Sequence, residues 1–204
     1  IDTLAEASMD PRAMAYMFER LERANRFAKD RIPEFLRTHP VTRSRISDAY
    51  NQTRNYAKKT WPLIPDYQFM RARVAALTSA FPQETILRFK AGLDDPDPIK
   101  RDANHYGLVL SLTKNSDIDE ATHFLRPLLE KYGDSILFRI AEADIHAEAL
   151  RHKEALQILE DSLAVNPGNY PLTMAYAETL ISADMPEEAE ELLLTMSTER
   201  KNDE

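Results

Sequence analysis

Three short segments of this sequence recur in register. They are Ile118-Asp119-Glu120-Ala121, His152-Lys153-Glu154-Ala155 and Pro186-Glu187-Glu188-Ala189, each with an acidic residue ahead of an alanine, and the alanines stand 34 residues apart. Leu125, Leu159 and Leu193 follow four positions later, and Val109, Ala143 and Ala177 precede at the same 34-residue spacing. A fixed period of this length constrains the fold more than any composition value does. One period is a single helical hairpin, too small to bury its apolar face alone, so each must stack on the next. The spacing has a packing reason: two antiparallel helices approach closely where one side chain is small, and a bulky leucine one turn on fills the groove so formed.

The period is that of tetratricopeptide helix–turn–helix units. The expected fold class is therefore all-α, a tetratricopeptide-repeat helical solenoid of three clear repeats plus one degenerate repeat, since no run of alternating β-branched residues reads as a strand. Pro167 closes the middle repeat, and Gly133 stands at the equivalent place before it as a helix C-cap. The degenerate unit spans about 66–92, with Ala75 at its small position and Leu87 at the alanine position, and Asp94-Asp95-Pro96-Asp97-Pro98 ends it.

Ahead of the repeats, Asp10-Pro11 is a helix start. From it Met14, Met17, Phe18, Leu21 and Ala24 recur at helical spacing as far as about Phe27. A second helix is expected from Thr42 to about Lys59, with Ile46, Ala49 and Tyr50 on one face. The two prolines of Trp61-Pro62-Leu63-Ile64-Pro65 cannot sit in a helix interior. They divide the chain into 1–65 and 66–204, and the charge changes at the same point. Residues 1–65 hold 12 Lys and Arg against 8 Asp and Glu, whereas 66–204 hold 14 against 26. Two helices this short cannot cover both apolar faces by themselves. Met14, Phe18 and Leu21 are expected to pack on residues 66–92, with Trp61 and Tyr67 at the joint.

The same inventory excludes much chemistry. With no Cys there is no disulfide, thiolate metal site or Cys nucleophile, and four scattered glycines leave no phosphate-binding loop. The acidic repeats would repel phosphates, which argues against nucleic acid as a partner. No run reaches the ~18 apolar residues of a membrane span. His39, His105, His123, His146 and His152 form no HExxH and no i, i+4 pair, and no serine sits in a GxSxG elbow. His39 reads as structural or solvated, His152 as a solvated turn residue, and Met9, Met14 and Met17 as core filler. The acidic pairs Asp94-Asp95 and Glu187-Glu188 read as loop solvation and helix N-terminal charge. Catalytic and metal-binding residues are both expected to be absent, leaving protein binding as the function that the repeats support.

Stacked hairpins curve, and the first helix of each lines the concave face. In the 34-residue frame the inward positions are Tyr106, Leu110 and Lys114, then Ile140, Asp144 and Glu148, then Met174 and Glu178. As a set they describe a part-apolar, part-acidic protein-binding groove. A peptide's terminal carboxylate would be repelled there.

The segments Ser8-Met9-Asp10-Pro11-Arg12-Ala13-Met14, Met17-Phe18-Glu19-Arg20-Leu21, Leu36-Arg37-Thr38-His39-Pro40 and Arg45-Ile46 carry a resemblance. Together they are similar to the end of the catalytic domain in HtpX-type zinc metallopeptidases, in the periplasmic branch that continues into tetratricopeptide repeats. The likeness covers roughly residues 1–60 by motif and the remainder by architecture. It implies that residues 1–65 are two helices from the end of a protease domain plus a linker, with the zinc of the parent protease bound upstream of Ile1. The chain itself would need no cofactor and would be inactive alone, a fragment or trimmed product of a zinc metalloendopeptidase. The resemblance further implies a periplasmic location and a chaperone-like role in outer-membrane protein assembly and quality control. The implied partners are outer-membrane β-barrel precursors or the assembly machinery. The alternative on residues alone is a free-standing tetratricopeptide adaptor.

Overall fold

The computed structural model describes residues 1–27, 43–56, 62–133 and 135–202. The expectations placed on His39, Thr42, Lys59 and Trp61 lie outside the described residues. The chain divides into two compact units, Ile1–Pro62 and Leu63–Glu204. Among the described residues every regular element is a helix, and none is long and apolar enough to cross a membrane.

The first unit contains α1 (Asp2–Glu6), α2 (Ala13–Phe27) and α3 (Arg43–Thr53). Asp10 opens α2: its Oδ1 accepts from the Arg12 backbone N–H at 3.0 Å, and the helix sets in at Ala13. α2 and α3 pack together with Ala15 and Ala49 buried, small residues that permit close approach. Around them Tyr50 Oη donates to Glu19 Oε1 at 2.7 Å, the Tyr16 and Tyr50 rings meet edge to face, and Arg45 lies over the Phe18 ring. Of the expected α2 stripe, Met14, Phe18 and Leu21 are half-buried while Met17 is exposed. The inward face runs through Pro11, Ala15 and Phe18, one helical position round from the sequence expectation.

The second unit is a stack of four helical hairpins. Its helices are α4 (Pro65–Leu77), α5 (Pro82–Lys90), α6 (Pro98–Lys114), α7 (Ile118–Tyr132), α8 (Ile136–Glu148), α9 (His152–Val165), α10 (Tyr170–Ser182) and α11 (Pro186–Asn202). Each helix packs on the next, and the first helices of successive hairpins also touch. The repeat residues form the core as their spacing predicts. Val109, Ala121 and Leu125 share one cluster, Ala143, Ala155 and Leu159 a second, and Ala177, Ala189 and Leu193 a third.

The period also appears in the backbone. Ser116, Leu150 and Asp184 stand 34 residues apart and all have positive φ, at 62°, 59° and 63°. At each turn the following N–H reaches back to the last helical turn: Asp117 to Leu112, Arg151 to His146 and Met185 to Leu180, all at 2.9 Å. This double-bonded helix end satisfies carbonyls that would otherwise lack partners. It recurs in the last three hairpins and not in the first. Glycine usually fills such a position, and no glycine stands at these three.

The upstream hairpin is a fourth repeat with its register slipped. Leu87, expected at the alanine position, is 68% exposed. Thr85 and Phe89 are the buried pair, standing three and seven residues into α5 as Ala121 and Leu125 stand in α7. In α4 the fully buried small residue is Ala76, one beyond the expected Ala75. α4 packs chiefly across α6 and only slightly on α5, so the α4–α5 crossing no longer demands the alanine and the 34-residue frame is lost.

Candidate partner-binding groove

The first helices of the four hairpins converge on one open recess of about 310 Å³. Five of the eight residues expected in the groove line it: Leu110, Lys114, Asp144, Glu148 and Glu178. Thr113, Ala147, Thr179 and Ser182 complete the wall, and Leu77 adds the end of α4. Periodicity brings these side chains together because the first helices pack side by side, so positions 34 residues apart fall in a row across the stack.

Three expected residues do not open onto the recess. Tyr106 is fully buried, where its ring meets those of Phe69 and Phe138 edge to face at 6.0 and 5.4 Å. Ile140 is buried in the core between the middle and last hairpins. Met174 is half-buried outside the lining. The physical reason is depth: the 34-residue frame fixes which side of a helix a residue occupies, but large side chains near the crossing of three helices are covered by their neighbours.

The polar groups of the recess have distinct partners. Lys114 Nζ donates to the Leu77 and Ser79 carbonyls, each at 3.0 Å. It therefore caps the C-terminal end of α4, where the helix dipole favours a cation. Glu148 Oε1 accepts from Ser116 Oγ at 2.6 Å, tying the groove wall to a left-handed turn. Asp144 differs from both. Burial pushes its carboxyl up to about 6, with Arg73 drawing it down and Glu178 raising it. Among the described residues no side chain or backbone group within hydrogen-bonding or ion-pairing distance satisfies it. Arg73, unexpected from the sequence, donates Nη1 to Tyr106 Oη at 3.1 Å. The one-residue slip that makes Ala76 the small position also puts Arg73 in frame with Tyr106, so the signal existed but at a period of 33.

Among the described histidines, His105 and His123 both lie edge-on to the Phe124 ring, and burial lowers the His105 imidazole. His146 Nδ1 accepts from Arg151 Nε at 3.2 Å, and His152 Nδ1 lies 3.5 Å from Ser182 Oγ. Among the described residues no three His, Asp or Glu side chains converge as a metal cage would.

Four stacked hairpins, recurrent left-handed turns and a recess built from the first helices define a helical solenoid of the tetratricopeptide type. The tetratricopeptide repeat family matches residues 146–204. Over the whole chain the similarity is to a narrower group. A beta-barrel assembly-enhancing protease of Yersinia pestis is 25% identical over 193 residues, 95% of this chain and 40% of the relative. A putative beta-barrel assembly-enhancing protease of Vibrio cholerae is 29% identical over 204 residues, all of this chain and 42% of the relative. The Escherichia coli protein of that name is 25% identical over 205 residues, covering all of this chain and 41% of the relative. The similarity to these proteases thus extends from the N-terminal helices through the solenoid. The chain spans about two fifths of the length of these relatives.

Proposed function

We propose that this chain is the protein-binding region of a periplasmic metalloprotease that acts in outer-membrane β-barrel assembly and quality control. In this reading the solenoid recess takes a segment of a β-barrel precursor or of the assembly machinery. The zinc chemistry belongs to a part of the parent protease that these residues do not supply, so the chain alone binds and does not cleave. The names of the relatives and their match over 95% or more of the chain support the pathway. The observation that carries the binding mode is Asp144, a half-buried carboxylate in the lining of a recess made by four hairpins, with no hydrogen-bond or ion-pair partner among the described residues. A half-desolvated carboxylate gains most from a ligand that brings N–H groups or a cationic side chain to it. The occupant is accordingly a segment that offers backbone N–H groups or Lys and Arg, held along a wall of Leu110, Ala147 and Thr179.

The test uses the full chain and a set of overlapping peptides from a β-barrel precursor. Asp144→Asn should weaken the peptides that bind the wild-type chain by about tenfold while leaving the far-ultraviolet spectrum unchanged, in line with loss of one charge-assisted hydrogen bond. Equal affinity in the variant would remove Asp144 from the binding mode. Absence of binding by any precursor peptide would remove the class of partner. Metal analysis of the purified chain should show less than one zinc per ten molecules, and stoichiometric zinc would contradict the assignment of zinc chemistry elsewhere.

A further inference from the structure

A second recess, of about 440 Å³, lies between α4, α5 and α6 and shares no lining residue with the groove. Its charge is opposite in sign. Arg71 of α4, Arg88 of α5 and Lys100 of α6 line it, with Asp95 the one carboxylate, although residues 66–204 as a whole hold 14 Lys and Arg against 26 Asp and Glu. Among the described residues no carboxylate lies within ion-pair distance of any of these three cations. Arg71 Nη1 donates to Gln68 Oε1 at 3.2 Å, and Arg88 lies over the Phe89 ring, 4.7 Å from its centroid.

The neutral lining sharpens the specificity. Gln68 is only 8% exposed, its Oε1 is engaged by Arg71, and its side-chain NH₂ has no partner among the described residues. Asn104 Nδ2 donates to the Gly92 carbonyl at 2.9 Å, which leaves its Oδ1 as an acceptor. Asp95 Oδ1 accepts the Asp97 N–H at 3.0 Å, so part of its capacity goes to the turn before α6. The recess therefore presents convergent donors on three helices, with a few amide groups beside them.

We infer that this recess is a second binding site, one that takes the carboxylate of an acidic peptide segment. Guanidinium forks match a carboxylate in pairs, and a recess of this size accommodates a stretch of peptide rather than one small ion. The Gln68 and Asn104 amides suit a peptide backbone, which both donates and accepts. The site goes beyond the groove reading, and it does not depend on it: a partner segment with acidic residues docks here whether or not the groove is occupied.

Two fluorescent peptides distinguish the two sources of a carboxylate. One is hexaglutamate amidated at its C-terminus, and the other is hexaserine with a free C-terminal carboxyl. Anisotropy is measured with the full chain at low salt, where such contacts are least screened. Hexaglutamate should bind and hexaserine should not. Arg71→Gln/Arg88→Gln should weaken hexaglutamate at least about tenfold, with the thermal melt unchanged, while Lys153→Gln leaves its binding intact. Should the double variant lose its fold, Lys100→Gln alone carries the same expectation with a smaller loss, about threefold. Hexaglutamate binding supports the site, and binding of hexaserine in place of hexaglutamate overturns the acidic-segment assignment. Binding of neither peptide overturns it. So does equal loss in Lys153→Gln, undiminished binding in the folded recess variant, or displacement of the peptide by an equal concentration of inorganic phosphate.

Discussion

Gly107 lies in the middle of α6 (Pro98–Lys114), where glycine is an unfavourable choice. On an exposed helix, Gly107→Ala would gain about 1 kcal/mol of propensity. The tertiary structure reverses the sign. An added Cβ would stand 2.3 Å from Phe89 Cε1 and Cζ and 2.8 Å from Cδ1, where carbon atoms need about 3.5–4.0 Å. Phe89 is 3% exposed and packed in the core, so its ring, α5 or α6 must shift. Overpacking of this kind costs roughly 1–3 kcal/mol, and an overlap of more than about 1 Å at two ring atoms places it at the upper end. Net destabilisation of about 2 kcal/mol follows, which in a chain of this size lowers the melting temperature by roughly 4–8 °C. Calorimetry measures the melt, and a double-mutant cycle with Phe89→Leu tests the cause. Leucine at 89 should cost less in the alanine background than in the wild type. A melt at or above the wild-type value for Gly107→Ala, or strictly additive effects in the cycle, would refute the close-contact argument.

Leu150 holds a left-handed turn at φ 59° with its side chain 79% exposed. Leu150→Gly should stabilise the chain by about 0.5–1 kcal/mol, the αL penalty removed less glycine's added chain entropy. A higher urea midpoint at unchanged slope checks this, and a lower midpoint refutes it. Leu159 is fully buried at the large position of its repeat, and Leu159→Ala should cost about 2–5 kcal/mol in chemical denaturation. Because the folded-state pKa of Asp144 is raised, to about 6, its contribution to stability is fully present below the unfolded carboxylate pKa and is lost as pH rises through 6. Asp144→Asn should therefore match the wild type near pH 4 and exceed it by about 3 kcal/mol at pH 8, as read from denaturation at both values. An unchanged difference across that range would show that the carboxyl is not desolvated.

The sequence by itself determined the repeat architecture. Ala121, Ala155 and Ala189, with the leucines four residues on, recur because each hairpin solves the same nearest-neighbour packing problem. A rule applied locally and repeatedly leaves its record in the chain as a period. The side of each helix that faces the groove followed from the same count, which is why Leu110, Lys114, Asp144, Glu148 and Glu178 meet in one recess. Only the tertiary structure decided what happens where the local rule is not repeated. In the first hairpin α4 leans across α6 instead of pairing closely with α5, so Thr85 and Ala76 replace the residues that the period named. Burial decided the groove's chemistry: Tyr106 and Ile140 share its frame but lie under their neighbours, Lys114 is spent on the end of α4, and Asp144 is left half-buried with no donor among the described residues. The basic recess had no sequence signal at all. Arg71, Arg88 and Lys100 come from three helices at spacings set by no repeat, and a period reports only contacts that recur, whereas a site assembled once from several elements exists only after they have packed.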